Sequence, residues 1–119
     1  MFKIDPETKR ITMHRGDTGS VPYVITGYEF GENDRVLWTM KSDNGTEVKK
    51  QLCTPVDGRI VVDFVNSDTD SLAPGTYRYD IRIIANPVYD EGGNVVDGTM
   101  VNTPQSPLYV EILSTVGQI

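Results

Sequence analysis

The sequence predicts an all-β domain, an immunoglobulin-like antiparallel β-sandwich of about seven to nine strands. Three observations predict it. The first is residue usage: 14 Val, 12 Thr and 9 Ile stand against 2 Ala and 5 Leu. β-branched side chains lose rotamer freedom in a helix and pack well on a pleated surface. The second is the run Gly75-Thr76-Tyr77-Arg78-Tyr79-Asp80-Ile81-Arg82-Ile83, entered from a Leu72-Ala73-Pro74 corner. Tyr77, Tyr79, Ile81 and Ile83 fall on one face and Thr76, Arg78, Asp80 and Arg82 on the other, so the strand has one dry and one wet side. The third is the short, regular spacing of turn signals, which suits a sandwich.

The elements follow in order. An Asp5-Pro6 turn leads to a first strand near Arg10 to His14. A second runs from Ser20 to Gly27, with Val21, Tyr23 and Ile25 on one face. The third, Asp34 to Lys41, alternates Val36, Trp38 and Met40 against Arg35, Leu37 and Thr39, which places the single tryptophan in the core. Ser42-Asp43-Asn44-Gly45 is a hairpin turn, because Asn-Gly tolerates positive φ. The polar strand Glu47 to Leu52 is expected at an edge, with Lys49 and Lys50 discouraging edge-to-edge pairing. After a Val56-Asp57-Gly58 turn, Arg59 to Val65 points Ile60, Val62 and Phe64 inward. Asn66 to Leu72 suits a short helical turn, its Asn, Ser and Asp side chains capping backbone N–H groups. The tyrosine strand comes next. From Asn86 to Pro107 the pattern loosens into an irregular insertion that carries three of the seven prolines. Within it, Tyr89 to Val96 reads as a hairpin tip, Thr99 to Asn102 as a short strand and Thr103 to Pro107 as a kink. Leu108 to Leu113 is the closing strand.

Size and composition bound the possibilities. At 119 residues the chain is expected to be one domain, spanning 1–119. A formal charge of −6 and the absence of any basic run longer than Lys49-Lys50 argue against nucleic acid as a partner. One cysteine, Cys53, rules out an internal disulfide. The start, Met1-Phe2-Lys3-Ile4, lacks the basic and apolar segments of a signal peptide, and no stretch is long enough to span a membrane. A protein made and kept in a cytoplasm, or released other than by secretion, is the expectation.

The motifs that could carry chemistry are sparse. Arg15-Gly16-Asp17 matches an integrin-type tripeptide but is read as a turn, with Gly16 supplying unusual φ and Asp17 accepting backbone hydrogen bonds. Asn44-Gly45-Thr46 fits a glycosylation sequon and is read as a hairpin tip. Asp63, Asp68 and Asp70, and separately Asp90, Glu91 and Asp97, offer carboxylates, but neither set has the spacing of a calcium loop. His14 and Cys53 lack sequence partners that would make a base or a nucleophile. No catalytic residue, metal site or cofactor is therefore assigned. Among the tyrosines, Tyr77 is expected to bind backbone through its hydroxyl as a tyrosine corner, and Tyr23 and Tyr79 to lie in the core. Tyr28, Tyr89 and Tyr109 are less constrained and are the candidate partner contacts.

Three segments together resemble a known family. They are Arg15-Gly16-Asp17-Thr18, then Val36-Leu37-Trp38-Thr39-Met40-Lys41, then Asp68-Thr69-Asp70-Ser71-Leu72-Ala73-Pro74-Gly75-Thr76-Tyr77-Arg78-Tyr79-Asp80-Ile81. Over Ile11 to Ile84 the pattern is similar to the small sandwiches that open bacteriophage tail and baseplate proteins, in particular the N-terminal domain of the baseplate upper protein. Two features depart from that pattern: the insertion 86–107 replaces a short hairpin, and many relatives continue beyond the point matched by Ile119. The resemblance implies a non-catalytic virion protein, made in a bacterial host cytoplasm, that docks to other tail or baseplate proteins or to copies of itself as a homo-oligomer. It implies no cofactor, nucleic acid or membrane. The alternative is a carbohydrate-binding or adhesin-type sandwich module of a bacterial surface protein, which would gather exposed aromatic rings on one face.

Overall fold

A computed structural model describes residues 2–25, 27–102 and 108–114. The described chain folds as an all-β sandwich of nine strands and one short helix: β1 (Phe2–Ile4), β2 (Ile11–His14), β3 (Gly19–Val24), β4 (Arg35–Lys41), β5 (Glu47–Cys53), β6 (Arg59–Phe64), α1 (Asn66–Thr69), β7 (Gly75–Tyr89), β8 (Val95–Asn102) and β9 (Leu108–Leu113). Seven strands form one sheet in the order β1-β2-β9-β7-β4-β5, with β8 pairing β7 beside that path. β3 and β6 form the second sheet. All pairs are antiparallel except β2 with β9.

The alternation read from the sequence sets the core. Val36, Trp38 and Met40 of β4 face Ile60, Val62 and Phe64 of β6, and all six are buried. Tyr77, Tyr79 and Ile81 join them from β7, and Ile11, Met13, Val110 and Ile112 from β2 and β9. Trp38 is fully buried, stacks on Tyr79 at 5.1 Å and meets Phe64 edge-on at 5.5 Å. The Tyr79 hydroxyl donates to the Lys9 carbonyl, which fastens the β1–β2 turn, and the Tyr77 hydroxyl donates to the Ala73 carbonyl at 2.7 Å. Burial raises the Tyr79 hydroxyl and pushes Tyr23 up to about 12, so both stay neutral.

Two strands suffice to cover the large sheet because the large sheet curls to meet them at both sides. On one side the Phe2 ring of β1 packs on Phe64 at 5.6 Å and lies against the backbone of Gly19, where a Cβ would come within 2.5 Å of the ring. On the other, the Gln51 carboxamide of β5 donates to the Val61 carbonyl at 3.1 Å and accepts from the Asp63 N–H at 3.1 Å. A side-chain amide thus takes the place of a neighbouring strand along the edge of β6. The other edge of the small sheet is β3. Ile25 N–H points to the Gly58 carbonyl, so Ser20, Pro22 and Val24 turn their backbone groups outward. Pro22, which has no N–H, interrupts that edge.

The elements expected from the sequence are present, with three differences. β1 was not expected: three residues carry too little alternation to announce a strand, and β1 forms by pairing with β2 and burying Phe2. Lys49 does not guard an edge. It faces inward, 3.1 Å from Asp68 Oδ2 and 5.1 Å from the Phe64 ring centroid, and ties β5 to the helical turn. The segment from Asn86 is more extensively paired than expected: β7 continues to Tyr89 and returns as β8 from Val95, around the expected hairpin tip, with two register shifts in the ladder. The kink expected at Thr103 to Pro107 lies outside the described residues.

Replacing Gln51 by Ala should cost about 1 kcal/mol, because water restores part of what the β6 edge loses. Replacing Phe64 by Ala should cost about 3–5 kcal/mol, through lost contact with Trp38 and Phe2 and the cavity left behind. Urea denaturation of the two variants checks the order; equal effects would show that the Gln51 bridge has the weight of a core aromatic.

Candidate docking surface

The β7–β8 hairpin leaves the sandwich as an arm. The pairing of β7 with β4 ends at Arg35 opposite Ile84, while its pairing with β8 runs on to Tyr89 opposite Val95. Residues Ala85–Tyr89 therefore extend the strand by about 15 Å beyond its last β4 partner. Among the described residues no strand pairs with the outer edge of β8, nor with the edge of β7 that β4 has left. Among the described side chains, no buried hydrophobic residue lies between Ile84 and Leu108. The molecule is accordingly elongated, 47 × 34 × 24 Å.

Two devices aim the arm. At its root, Asp34 is buried and holds three groups: the Gly31 N–H at 2.8 Å, the Asn86 N–H at 3.2 Å and the Tyr28 hydroxyl at 3.2 Å. These donors, the Gly31 N–H foremost, keep the Asp34 carboxyl below its ordinary value of 3.8 against the opposing effect of burial. Asn86 takes φ of 49°, a left-handed conformation that asparagine tolerates. On the return strand, Gly98 has φ of 145°, and a Cβ there would meet Ile84 Cγ2 at 2.8 Å and the Pro87 Cα at 3.2 Å. Only glycine fits this close approach. At the tip, Asp90 Oδ1 accepts from the Gly92 and Asn94 N–H groups, both at 2.9 Å, which fixes the turn.

The arm presents apolar side chains to water. Val88 is 52% exposed, Tyr89 42% and Val96 60%. Asp90, Glu91 and Asp97 surround them, and no Lys, Arg or His occurs from Ala85 to Asn102. Apolar side chains on a ribbon with open backbone edges suit protein docking: the edge can pair with another strand and the side chains can desolvate together.

The three tyrosines singled out from sequence do not converge. Tyr28 is half-buried, its ring edge-on to Phe30 at 4.9 Å and its hydroxyl on Asp34. Tyr89 lies on the arm. Tyr109 is opposite Arg78, at the far end of β7, with the Arg10 guanidinium 5.7 Å from its ring centroid. Roughly 25 Å of strand separates the Tyr109 position from the Tyr28 anchor at Asn86. Sequence reasoning placed a hairpin tip at Tyr89 to Val96 and a strand at Thr99 to Asn102, and missed that β7 itself runs on to Tyr89 to form the other side of the ribbon. The available signal was the β-formers Val88-Tyr89 and Val95-Val96 on the two sides of a Gly-Gly-Asn turn.

The other motifs have structural partners. Gly16, at φ 84°, gives its N–H to Thr69 Oγ1 at 2.8 Å and its carbonyl to the Asn66 amide at 2.9 Å, while Asp17 Oδ2 accepts the His14 N–H at 2.8 Å. Arg15-Gly16-Asp17 is thus a turn clamped to α1. Asn44 Oδ1 is engaged inside its own hairpin by Thr46 N–H. Asp63 accepts Ser20 Oγ and Asp68 holds Lys49, so these carboxylates point to different partners. Among the described residues no group of three or more His, Cys, Asp or Glu is placed to hold a metal ion, and no helix is long and apolar enough to cross a membrane.

Because the folded Asp34 carboxyl titrates below its unfolded value, its contribution to stability is complete above that value and is lost as pH falls through the folded one. Asp34→Asn should therefore melt below the wild type at pH 7, and the gap should narrow below about pH 4. A gap independent of pH would remove the carboxylate from the account. Gly98→Val should leave the melting transition of the sandwich nearly in place and accelerate amide exchange at Val88 and Tyr89; hydrogen exchange read by mass spectrometry checks this. Global loss of protection would show that the arm and the sandwich fold as one unit.

Comparison with known proteins returns no match: no family model, no curated protein and no solved structure aligns significantly with the chain.

Proposed function

We propose that this protein is a non-catalytic structural component of a bacteriophage or prophage particle, a tail or baseplate part made in the bacterial cytoplasm that works by docking to other proteins. The observation that carries the reading is the arm: a ribbon aimed by Asp34 and Gly98, with open edges and exposed Val88, Tyr89 and Val96. A small rigid body with one projecting ribbon is suited to repeated assembly, where each subunit must meet its neighbour at a set angle. The resemblance of the Arg15 turn, the Trp38 strand and the Tyr77 segment to baseplate sandwiches supports the same reading.

No catalytic step is assigned to it. Cys53, the only thiol, is buried, and burial pushes its pKa up, which suppresses the thiolate that a nucleophile needs. A carbohydrate-binding module would gather aromatic rings on one face, and the separation of Tyr28, Tyr89 and Tyr109 weighs against that alternative.

Gold-labelled antibody against the purified protein, applied to particles induced from the strain that carries the gene, tests the proposal. Label concentrated at the tail or baseplate is the expected result. Intact particles without label, with the protein left in the soluble fraction, would overturn it.

A further inference from the structure

The acidic arm has a complement elsewhere on the same molecule. The face of the large sheet turned away from the core runs opposite in sign to the chain as a whole. On β4, β5 and the paired part of β7, the outward charged side chains are Arg35, Lys41, Lys50, Arg78 and Arg82 against Glu47 and Asp80. This excess of cations sits on a protein whose formal charge is −6.

The pattern inside that face also matches the arm. Leu37 is directly opposite Leu52 on one side and Arg82 on the other. One step along, Thr39 lies between Lys50 and Asp80. The centre is therefore a cross-strand leucine pair, with Leu52 37% exposed, and basic side chains flank it. The arm has the opposite charge: exposed Val88, Tyr89 and Val96 are interspersed with Asp90, Glu91 and Asp97, and no cation occurs from Ala85 to Asn102. The cations on the face are only loosely neutralised within the molecule. Arg82 is 3.8 Å from Asp80, Lys50 is 3.9 Å from Glu47, and all four side chains are about half exposed.

We propose that the arm of one copy docks on the outward face of the large sheet of a second copy, so that identical subunits join head to tail. The inference rests on the reading of the protein as an assembly component and names its partner. The two surfaces differ, so the contact is heterologous and generates a ring or an open chain rather than a twofold dimer. The arm runs on beyond the last β4 partner of β7, where a neighbouring subunit can meet it. Pairing between two arms is disfavoured, because it would bring six carboxylates together with no cation between them. Complementary charge sets orientation and encounter rate, and burial of the Val and Tyr side chains against the leucine pair holds the contact.

The test is sedimentation velocity on the whole protein over a concentration series up to about 1 mM, in about 50 mM and about 0.5 M salt. The expected result is mass growing beyond the 13.2 kDa chain at low salt, and association at least about tenfold weaker at high salt. Two exposed double variants assign the surfaces: Glu91→Lys with Asp97→Lys on the arm, and Lys50→Glu with Arg82→Glu on the face. Each alone should lose association about tenfold or more, and an equimolar mixture of the two should regain it, because the reversed arm now fits the reversed face. Unchanged melting temperatures establish that both variants fold. A wild type that stays monomeric at low salt overturns the proposal, as does association that survives in the face variant or fails to return in the mixture. A monomer that still labels particles removes the self-contact alone, whereas salt-dependent chains of a protein absent from particles remove the virion reading alone.

Discussion

Trp38 is the residue on which the rest of this structure depends. It is the only tryptophan, it lies at the middle of the sandwich with no exposed surface, and it touches both sheets. Stacking on Tyr79 joins it to its own sheet, and the edge-on contact with Phe64 joins it to the other. Tilted and edge-to-face pairs at these separations add to the burial of the rings themselves. Phe64 in turn receives Phe2 from β1 and the Lys49 ammonium from β5. The two sides at which the large sheet curls over the small one are thus both referred to one aromatic contact. The Tyr23 hydroxyl and Trp38 Nε1 lie buried beside one another and near the Tyr79 hydroxyl, short of full hydrogen-bond geometry. Such a group of polar atoms is costly if displaced into apolar surroundings, and it favours one packing of these rings over others.

Period-two alternation made most of this fold legible in the sequence. The inward sets of β3, β4, β6 and the first half of β7 were readable because each has one wet and one dry face, and a slip of one residue would bury charge. The Tyr77 corner was readable because the proline–glycine turn precedes it by a fixed interval. What the sequence did not show is which strands share a sheet. That partition depends on contacts between residues far apart in the chain, such as Gln51 with Val61 and Asp63, and a glutamine standing in for a strand has no signature of its own. Lys49 was misread for a related reason. A lysine on a polar strand signals an exposed edge unless a carboxylate from another element waits beneath it, and Asp68 is 19 residues away.

The arm was located but not recognised. Pro87, the positive φ at Asn86 and the shifts in register between Ala85 and Tyr89 break the alternation at the place where β7 leaves the sandwich. A regular pattern would have announced a strand and hidden the change of environment; the broken pattern announced the change and hid the strand. Tyr89 was picked for its aromatic character and does lie exposed on the arm, whereas the same reasoning also picked Tyr28, whose hydroxyl is taken up by Asp34. Side-chain type alone does not separate a contact residue from a positioning one. The separation comes from what the backbone around it needs.

The division between sandwich and arm has an energetic logic. Stability resides in the aromatic centre and the apolar layers of β2, β4, β6, β7 and β9, none of which, among the described side chains, reaches beyond Ile84 until Leu108. The arm adds little to that core and takes little from it, so side chains on it can be set by what they must meet rather than by packing. Its geometry is not free, however. Asp34 and Gly98 hold the root by hydrogen bonds and close approach, which orients a ribbon without burying it. An element anchored at its base and unburied along its length loses modest conformational freedom when a partner covers it, because the backbone is already paired along one edge. Open edges are ordinarily a liability that proteins blunt with proline or charge, as Pro22 does on β3. On the arm the proline sits at the root, the charge is confined to one sign, and the apolar side chains are left uncovered. Under the proposed docking, protection there is selective: like arms would repel, and a surface of opposite charge would be admitted.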